Sequence, residues 1–419
     1  MRLRYLFPVL TLASTTAVWA LAERLEETLY IPLDHPAIQY GKDPSDPVAL
    51  LDRKLDTGQA KLDYTASAGG YLASVLKQLD INIDSQVLVF SRTSIQSNHI
   101  SPYTPRAIYF NDNVSVGYVQ YGEVLELTAL DPIRGPYMYS LEAAKSDQPR
   151  FGRRDDCLRC HQGPQTLGVP GLMVSSVHPA SGDLEGHGNA FITDDTSPVA
   201  VRWGGWYVTG STGSQTHLGN KTALADPLHP GAASRESSQN LTSLSEFFDT
   251  SKYLASSSDL VALMTLEHQS RMVNLLTRIG WDARIALYDK RWDAAKMDSE
   301  IEDLVTYMLF ANEAPLQEPV TGVSTFVKTF AARGPHDKQG RSLRDFDLKT
   351  RLFRYPVSYM IYSSAFDALP DRVRNRIYQR LNEVLSGKDQ SPQFSKLSMR
   401  ERAAALAILQ DTKPDLPRL

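Results

Sequence analysis

The sequence predicts an α+β protein, with an N-terminal antiparallel β-rich part followed by a C-terminal helical part. Three observations carry this reading. Between Gln86 and Leu141, short apolar runs alternate with turn-forming residues. From Ser256 onward, apolar residues recur at steps of three and four. No internal repeat or long low-complexity segment interrupts either pattern. The 419 residues are 42% hydrophobic and 22% charged, with a formal net charge of −4. That balance suits a soluble globular chain and excludes the basic excess expected of a nucleic-acid binder.

The chain divides into four stretches. Residues 1–22 read as a secretory signal peptide. Arg2 and Arg4 supply its positive end, Tyr5 to Ala13 its apolar centre, and Ala20-Leu21-Ala22 its small-x-small cleavage site. The apolar run is too short to span a bilayer, and no later run approaches roughly 20 apolar residues. The expectation is an exported, periplasmic chain with no membrane span. Residues 23–60, with Pro32, Pro36, Pro44 and Pro47, read as an irregular N-terminal arm. Residues 61–250 form the β-rich region. Residues 251–419 form a helical region packed on it.

Within the β-rich region, Ser67 to Leu79 has helical spacing, with Tyr71, Leu72, Val75, Leu76 and Leu79 on one side. The runs Val87–Phe90, Ala107–Phe110, Val116–Val119, Val124–Leu130 and Tyr137–Tyr139 then read as strands of a meander. Asn111-Asp112-Asn113, Tyr121-Gly122 and Asp131-Pro132 mark turns between them. Further strands are expected at Leu172 to Val177 and Val201 to Thr209. The second contains Trp203-Gly204-Gly205-Trp206-Tyr207, whose double glycine suggests a bulge or a flat group close to the backbone. An aromatic core with a bulge and a cofactor-packing surface are both open readings there.

In the helical region, Ser256-Ser257-Ser258-Asp259 is a capping sequence and Gly280 marks the expected helix end. Val261, Met264, His268, Met272, Leu275 and Ile279 form one apolar stripe. More helices are expected at Ala294 to Ala311, Val357 to Ala368, Asp371 to Leu385 and Met399 to Leu409.

The chemistry centres on Cys157-Leu158-Arg159-Cys160-His161, a C-x-x-C-H sequence. Two thiols three positions apart can add to the two vinyl groups of one porphyrin edge. The next histidine is then held beneath the iron as the proximal ligand. Cys157, Cys160 and His161 are therefore the expected binding residues of one covalent haem c. They use the whole cysteine complement of the chain. A dithiol or disulfide and a zinc site are the competing readings. A thioredoxin-type motif would need a longer helix than Gly163-Pro164 allows. Zinc would need a fourth ligand, and adjacent Cys160 and His161 fit one tetrahedron poorly. Export agrees with haem, because c-type haem is attached outside the bacterial cytoplasm.

Other groups bear on the iron. His268, on the apolar stripe, is either a satisfied core histidine or a second iron ligand, with Glu267 beside it as a candidate acid/base group. Met264 and Met272 are core fillers. Met173, His99, His178, His187 and His217 are weaker ligand candidates. Arg153, Arg154 and Arg159 flank the motif, either as partners for haem propionates or as a patch balanced by Asp155 and Asp156.

Several segments together resemble a family of exported bacterial proteins that carry one C-x-x-C-H and are known as cytochrome c domain-containing proteins. The segments are Ser97–Pro102, Pro105–Asp112, Cys157–His161 with Gly168–Gly171, Arg202–Gly210 and Leu263–His268. The resemblance implies haem on Cys157 and Cys160 with His161 on the iron. The chain is not similar to the small all-α cytochromes c beyond the motif, and it lacks the second C-x-x-C-H of dihaem peroxidases. Two functions are expected from this. One is single-electron transfer with a redox partner protein or a small-molecule oxidant or reductant. The alternative is a haem enzyme with an open iron site acting on peroxide or another small oxidant. A haem-based sensor is a weaker third reading.

Overall fold

In this computed structural model, residues 30–177, 190–221 and 239–416 are described. The expected signal peptide, His178 and His187 lie outside them. Strands β1 (Val87–Val89), β2 (Arg106–Phe110), β3 (Val114–Tyr118), β4 (Val124–Asp131), β5 (Gly135–Glu142) and β6 (Phe151–Arg153) form an antiparallel meander. A later strand, β9 (Trp206–Tyr207), pairs antiparallel with β1 and completes the seven-stranded order β6-β5-β4-β3-β2-β1-β9. Strands β7 (Ser175–Val177) and β8 (Ala190–Ile192) make a separate two-stranded ribbon. The expected α+β class and the meander are both present.

The turns follow from local side chains. Asn111 Oδ1 accepts from the backbone N–H groups of Asn113 and Val114 at 3.0 and 2.9 Å, which folds the chain between β2 and β3. Asp131 does the same for Ile133 and Arg134 between β4 and β5, and Gly135 supplies the positive φ of 82°.

Both faces of the sheet are covered. Leu88, Ala107 and Tyr109 face a core shared with the N-terminal helices α1 (Pro47–Asp56) and α2 (Leu72–Gln78). Val87, Val89 and Phe110 face the core of the C-terminal helices. Neighbouring residues on one strand thus enter different cores, as period-two geometry requires. The C-terminal layer is built on α4 (Leu260–Tyr288), with α5 (Ala294–Met308), α6 (Phe326–Ala332), α7 (Ser364–Asp367), α8 (Asp371–Leu385) and α9 (Met399–Thr412) around it. No helix among the described residues is long and apolar enough to cross a membrane.

Four expectations need correction. The N-terminal arm is not wholly irregular: Asp46 caps α1 by accepting from Val48 and Ala49, and Pro47 occupies its first turn, where proline lacks no needed hydrogen bond. Helix α4 does not end at Gly280 but continues to Tyr288, because Trp281 and Ala283 are buried by tertiary packing. The expected helix 357–368 splits into a 3-10 turn (Tyr359–Tyr362) and the short α7. The expected strand 201–209 keeps only Trp206–Tyr207, since Trp203 and Gly205 have φ of 70° and 82°.

Candidate functional site

The C-x-x-C-H stretch follows directly on β6. A 3-10 turn (Asp155–Cys157) runs into α3 (Leu158–His161), a single helical turn that Gln162 ends in extended conformation. Leu158 is buried and anchors the turn. The three-residue spacing places Cys157 and Cys160 on one side of it. Cys157 is half-buried, Cys160 is exposed, and neither is in a disulfide. Burial pushes the Cys157 thiol upward and Asp156 adds to the effect. It is therefore a thiol rather than a thiolate, which is the opposite of an activated redox cysteine.

His161 is held by a two-way clamp with Gly171. Its Nδ1 lies 2.9 Å from the Gly171 carbonyl oxygen, while the Gly171 N–H donates to the His161 carbonyl at 2.8 Å. A carbonyl can only accept, so Nδ1 carries the proton and Nε2 carries the lone pair. Burial keeps the imidazole below its ordinary pKa, and the Arg106 cation works in the same direction. The imidazole thus presents an Nε2 lone pair with its orientation fixed by the Gly171 carbonyl.

The clamp depends on the loop that follows. Thr166, fully buried, accepts from the Gly163 N–H at 3.0 Å and donates to the Val169 carbonyl at 2.8 Å. Asn274 of α4 grips Leu172 from both sides, accepting from its N–H at 2.8 Å and donating to its carbonyl at 2.7 Å. Gly171 is needed here, because a Cβ would stand 2.4 Å from Asn274 Oδ1 and 2.6 Å from Thr166 Cβ. Arg278 of α4 donates to the Leu167 carbonyl at 2.8 Å. A rigid helix therefore fixes the loop that orients His161.

On the sheet, Arg106 and Glu126 pair at 2.7 Å, close enough for their charges to act on both Cys157 and His161. Arg106 lies across Gly117, where a Cβ would meet its guanidinium at 2.7 Å. Burial raises the Glu126 carboxyl, but Arg106, Ser94 and Gln96 together hold it below the ordinary value. Neither Arg106 nor Glu126 stands out in the sequence. Their nearness to the motif follows from strand pairing, which carries no local sequence signal.

The flanking arginines are mostly engaged. Arg153 Nε pairs with Asp155 at 2.6 Å and its guanidinium lies over the Tyr137 ring at 4.6 Å. Arg154 binds Asp156 through two hydrogen bonds of 2.9 and 2.7 Å. Arg159 is exposed.

His268 sits away from this clamp, fully buried among the C-terminal helices. Its Nδ1 is 2.8 Å from Asp195 Oδ2 and its Nε2 is 2.7 Å from Ser358 Oγ. Its ring stacks on Phe310 at 4.5 Å and on Tyr307 at 5.3 Å. Both ring nitrogens of His268, the expected second iron ligand or core histidine, are engaged by protein groups, the geometry of a satisfied core histidine. Glu267 is likewise fully buried and engaged, accepting from Thr193 at 2.7 Å and pairing with Arg202 at 3.2 Å. His217 is buried against Trp203, with ring centroids 5.2 Å apart. His99 and Met173 are half-buried.

The flat group at Gly204 is the backbone of β7. A Cβ there would stand 1.9 Å from the Val177 carbonyl oxygen, and the Val177 N–H donates to the Gly204 carbonyl at 3.0 Å. Among the described residues, no group of three or more His, Cys, Asp or Glu side chains gathers to hold a metal ion. No protein-family model matches the chain, and no curated protein or solved structure matches it.

Proposed function

We propose that the chain is a c-type cytochrome of the periplasm that transfers single electrons, in which Cys157, Cys160 and His161 would hold one haem c. The observation that carries this is the His161–Gly171 clamp. It supplies a neutral imidazole with its lone pair on Nε2, next to two unbridged thiols on one side of a helical turn. When bound, the haem supplies a one-electron iron couple. The protein's own part is to orient and tune. Gly171 and Asn274 fix the imidazole plane, and a hydrogen bond donated from Nδ1 raises its basicity. Arg106 and Glu126 add a fixed charge pair beside it. The exposed Cys160 marks the edge at which a partner protein, or a small-molecule oxidant or reductant, would approach. Residues 1–22 supply the export signal that places the chain where c-type haem is attached.

The test is expression of the full precursor in a host that attaches c-type haem, followed by the absorption spectrum of the purified, reduced protein. A covalent haem spectrum is expected in the parent and is lost from the Cys157→Ala/Cys160→Ala variant. A parent without a haem band overturns the reading. Carbon monoxide then separates the two uses of the iron. An unmoved low-spin spectrum supports electron transfer, whereas a shifted one moves the assignment to an enzyme with an open iron site.

A further inference from the structure

The sheet face that covers the C-terminal core changes character beside the C-x-x-C-H turn. Side chains two apart on a strand share a face, so Phe110, Ile108 and Arg106 of β2 follow one another on one side. Phe110 is buried in that core and Ile108 packs against it, but Arg106 is charged and its side chain is 20% exposed. Across the neighbouring strands, Ile108 stands opposite Gly117 of β3, and Gly117 opposite Glu126 of β4. Arg106 therefore reaches Glu126 diagonally over Gly117. A side chain there would block it, since a Cβ on Gly117 would stand 2.7 Å from both Nε and Nη2 of Arg106. The charge of Arg106 acts on both Cys157 and His161.

Glu126 takes only part of this guanidinium. Its Oε2 lies 2.7 Å from Arg106 Nη2. Its Oε1 accepts from Ser94 Oγ at 2.5 Å and from Gln96 Nε2 at 2.9 Å, so the carboxylate is not free to grip the fork with both oxygens. Arg106 Nε is buried and donates to no described group, and no other arginine nitrogen among the described residues is left so. A buried N–H calls for an acceptor, and the acceptor that fits a guanidinium edge best is a carboxylate. Arg153 and Arg154, beside the motif in sequence, already hold Asp155 and Asp156. Arg159 is exposed to water, where an ion pair is worth little.

We propose that Arg106 is a positioning residue of this site, binding a propionate carboxylate of the haem and favouring the reduced iron. The inference rests on the haem reading and names the residue that receives the acidic edge of the group. Glu126, held by Ser94 and Gln96, aims the guanidinium, and Gly117 leaves room for it to lie across the sheet. Ferric iron carries one more positive charge than ferrous iron, so a fixed cation on this edge opposes oxidation.

Redox titration and resonance Raman spectroscopy of the full-length haem-loaded protein test it. Arg106→Gln is expected to lower the midpoint potential by about 60 mV, a tenfold change for one electron, and to move the propionate bending band. Gly117→Ala displaces the flexible end of Arg106 while keeping its charge, and is expected to move the same band. Arg159→Gln removes an exposed cation from the same turn and is expected to leave the band in place. An unmoved potential or an unmoved band in Arg106→Gln, or a band moved as far by Arg159→Gln, overturns the inference. The covalent haem spectrum of the same samples shows that the haem reading stands in those cases. A parent without a haem band overturns both. If Arg106→Gln does not fold, the band of Gly117→Ala decides.

Discussion

Arg202 and Glu267 pair at 3.2 Å inside the protein, with side chains 3% and 0% exposed. Arg202 also donates to the Ser197 and Asp195 carbonyls at 2.7 and 3.0 Å, so it ties β9's approach segment to α4 and to the segment around Asp195. Arg202→Met would leave Glu267 as a buried charge without its partner. A loss of about 3–5 kcal/mol is expected in urea unfolding, with much of it restored in the Arg202→Met/Glu267→Leu double variant. A single-variant loss below about 1 kcal/mol would mean that Glu267 is already protonated in the folded state.

Gly171→Ala should disturb the imidazole clamp. The added Cβ would collide with Asn274 and Thr166. A stability loss of about 1–3 kcal/mol is expected from the forced shift, together with an altered spectrum of the haem-loaded protein. Asn274→Leu should act on the same loop by removing both bonds to Leu172, without touching the histidine. An unaltered spectrum in both variants would show that the loop does not set the orientation of His161.

His217 should make the protein acid-sensitive. Burial against Trp203, with Lys221 adding to it, pushes its pKa down to about 4, whereas the unfolded chain titrates near 6.5. The unfolded state therefore gains the proton first. Stability from the neutral ring is complete above about pH 6.5 and is lost as pH falls toward 4, by up to about 3 kcal/mol. Glu300 acts with the opposite sign: its raised pKa favours the folded state as pH falls from about 7 toward the ordinary carboxylate range. The comparison that isolates His217 is the unfolding free energy at pH 7 and pH 5 in the parent and in His217→Asn. The variant should show the smaller loss on acidification, and an equal loss would refute the assignment.

Asp259 should matter more than a common helix cap. Its Oδ1 accepts from Val261 and Ala262 at 2.8 and 3.1 Å, and its Oδ2 accepts from Val323 and Ser324 at 2.9 and 2.8 Å. Asp259→Ala removes the cap of α4 and leaves two loop N–H groups without their acceptor. Its expected cost is about 2–4 kcal/mol, read by thermal or urea unfolding. A cost of about 1 kcal/mol or less would limit its role to capping.

The meander was legible because its signals are local. Asn111 and Asp131 make their turns with residues two or three positions away, and strand residues alternate between two cores. The end of α4 was not legible, because a glycine's stop signal was outweighed by the burial of Trp281. The site divides in the same way. Cys157, Cys160 and His161 form a contiguous motif that needs no tertiary knowledge. The stripe along α4 correctly places His268 inside, but its partners Asp195 and Ser358 lie 73 and 90 residues away. Whether a buried histidine is a ligand or a satisfied core group depends on those distant partners, so spacing alone cannot decide it.

The fastening of β1 bears on the order of synthesis. In space this strand lies between β2, made next, and β9, made much later. Its Leu88 N–H is held by Ser258 Oγ at 2.8 Å, and Asp84, just ahead of it, accepts from Thr325 and Thr329 at 2.8 and 2.6 Å. A growing chain therefore shows an open strand edge until Tyr207 has emerged, and that edge is not secured until Thr329 has followed. A fragment ending between β6 and β9 would keep the edge as a template for self-association, so truncation before Thr329 is expected to yield aggregates rather than a smaller working protein.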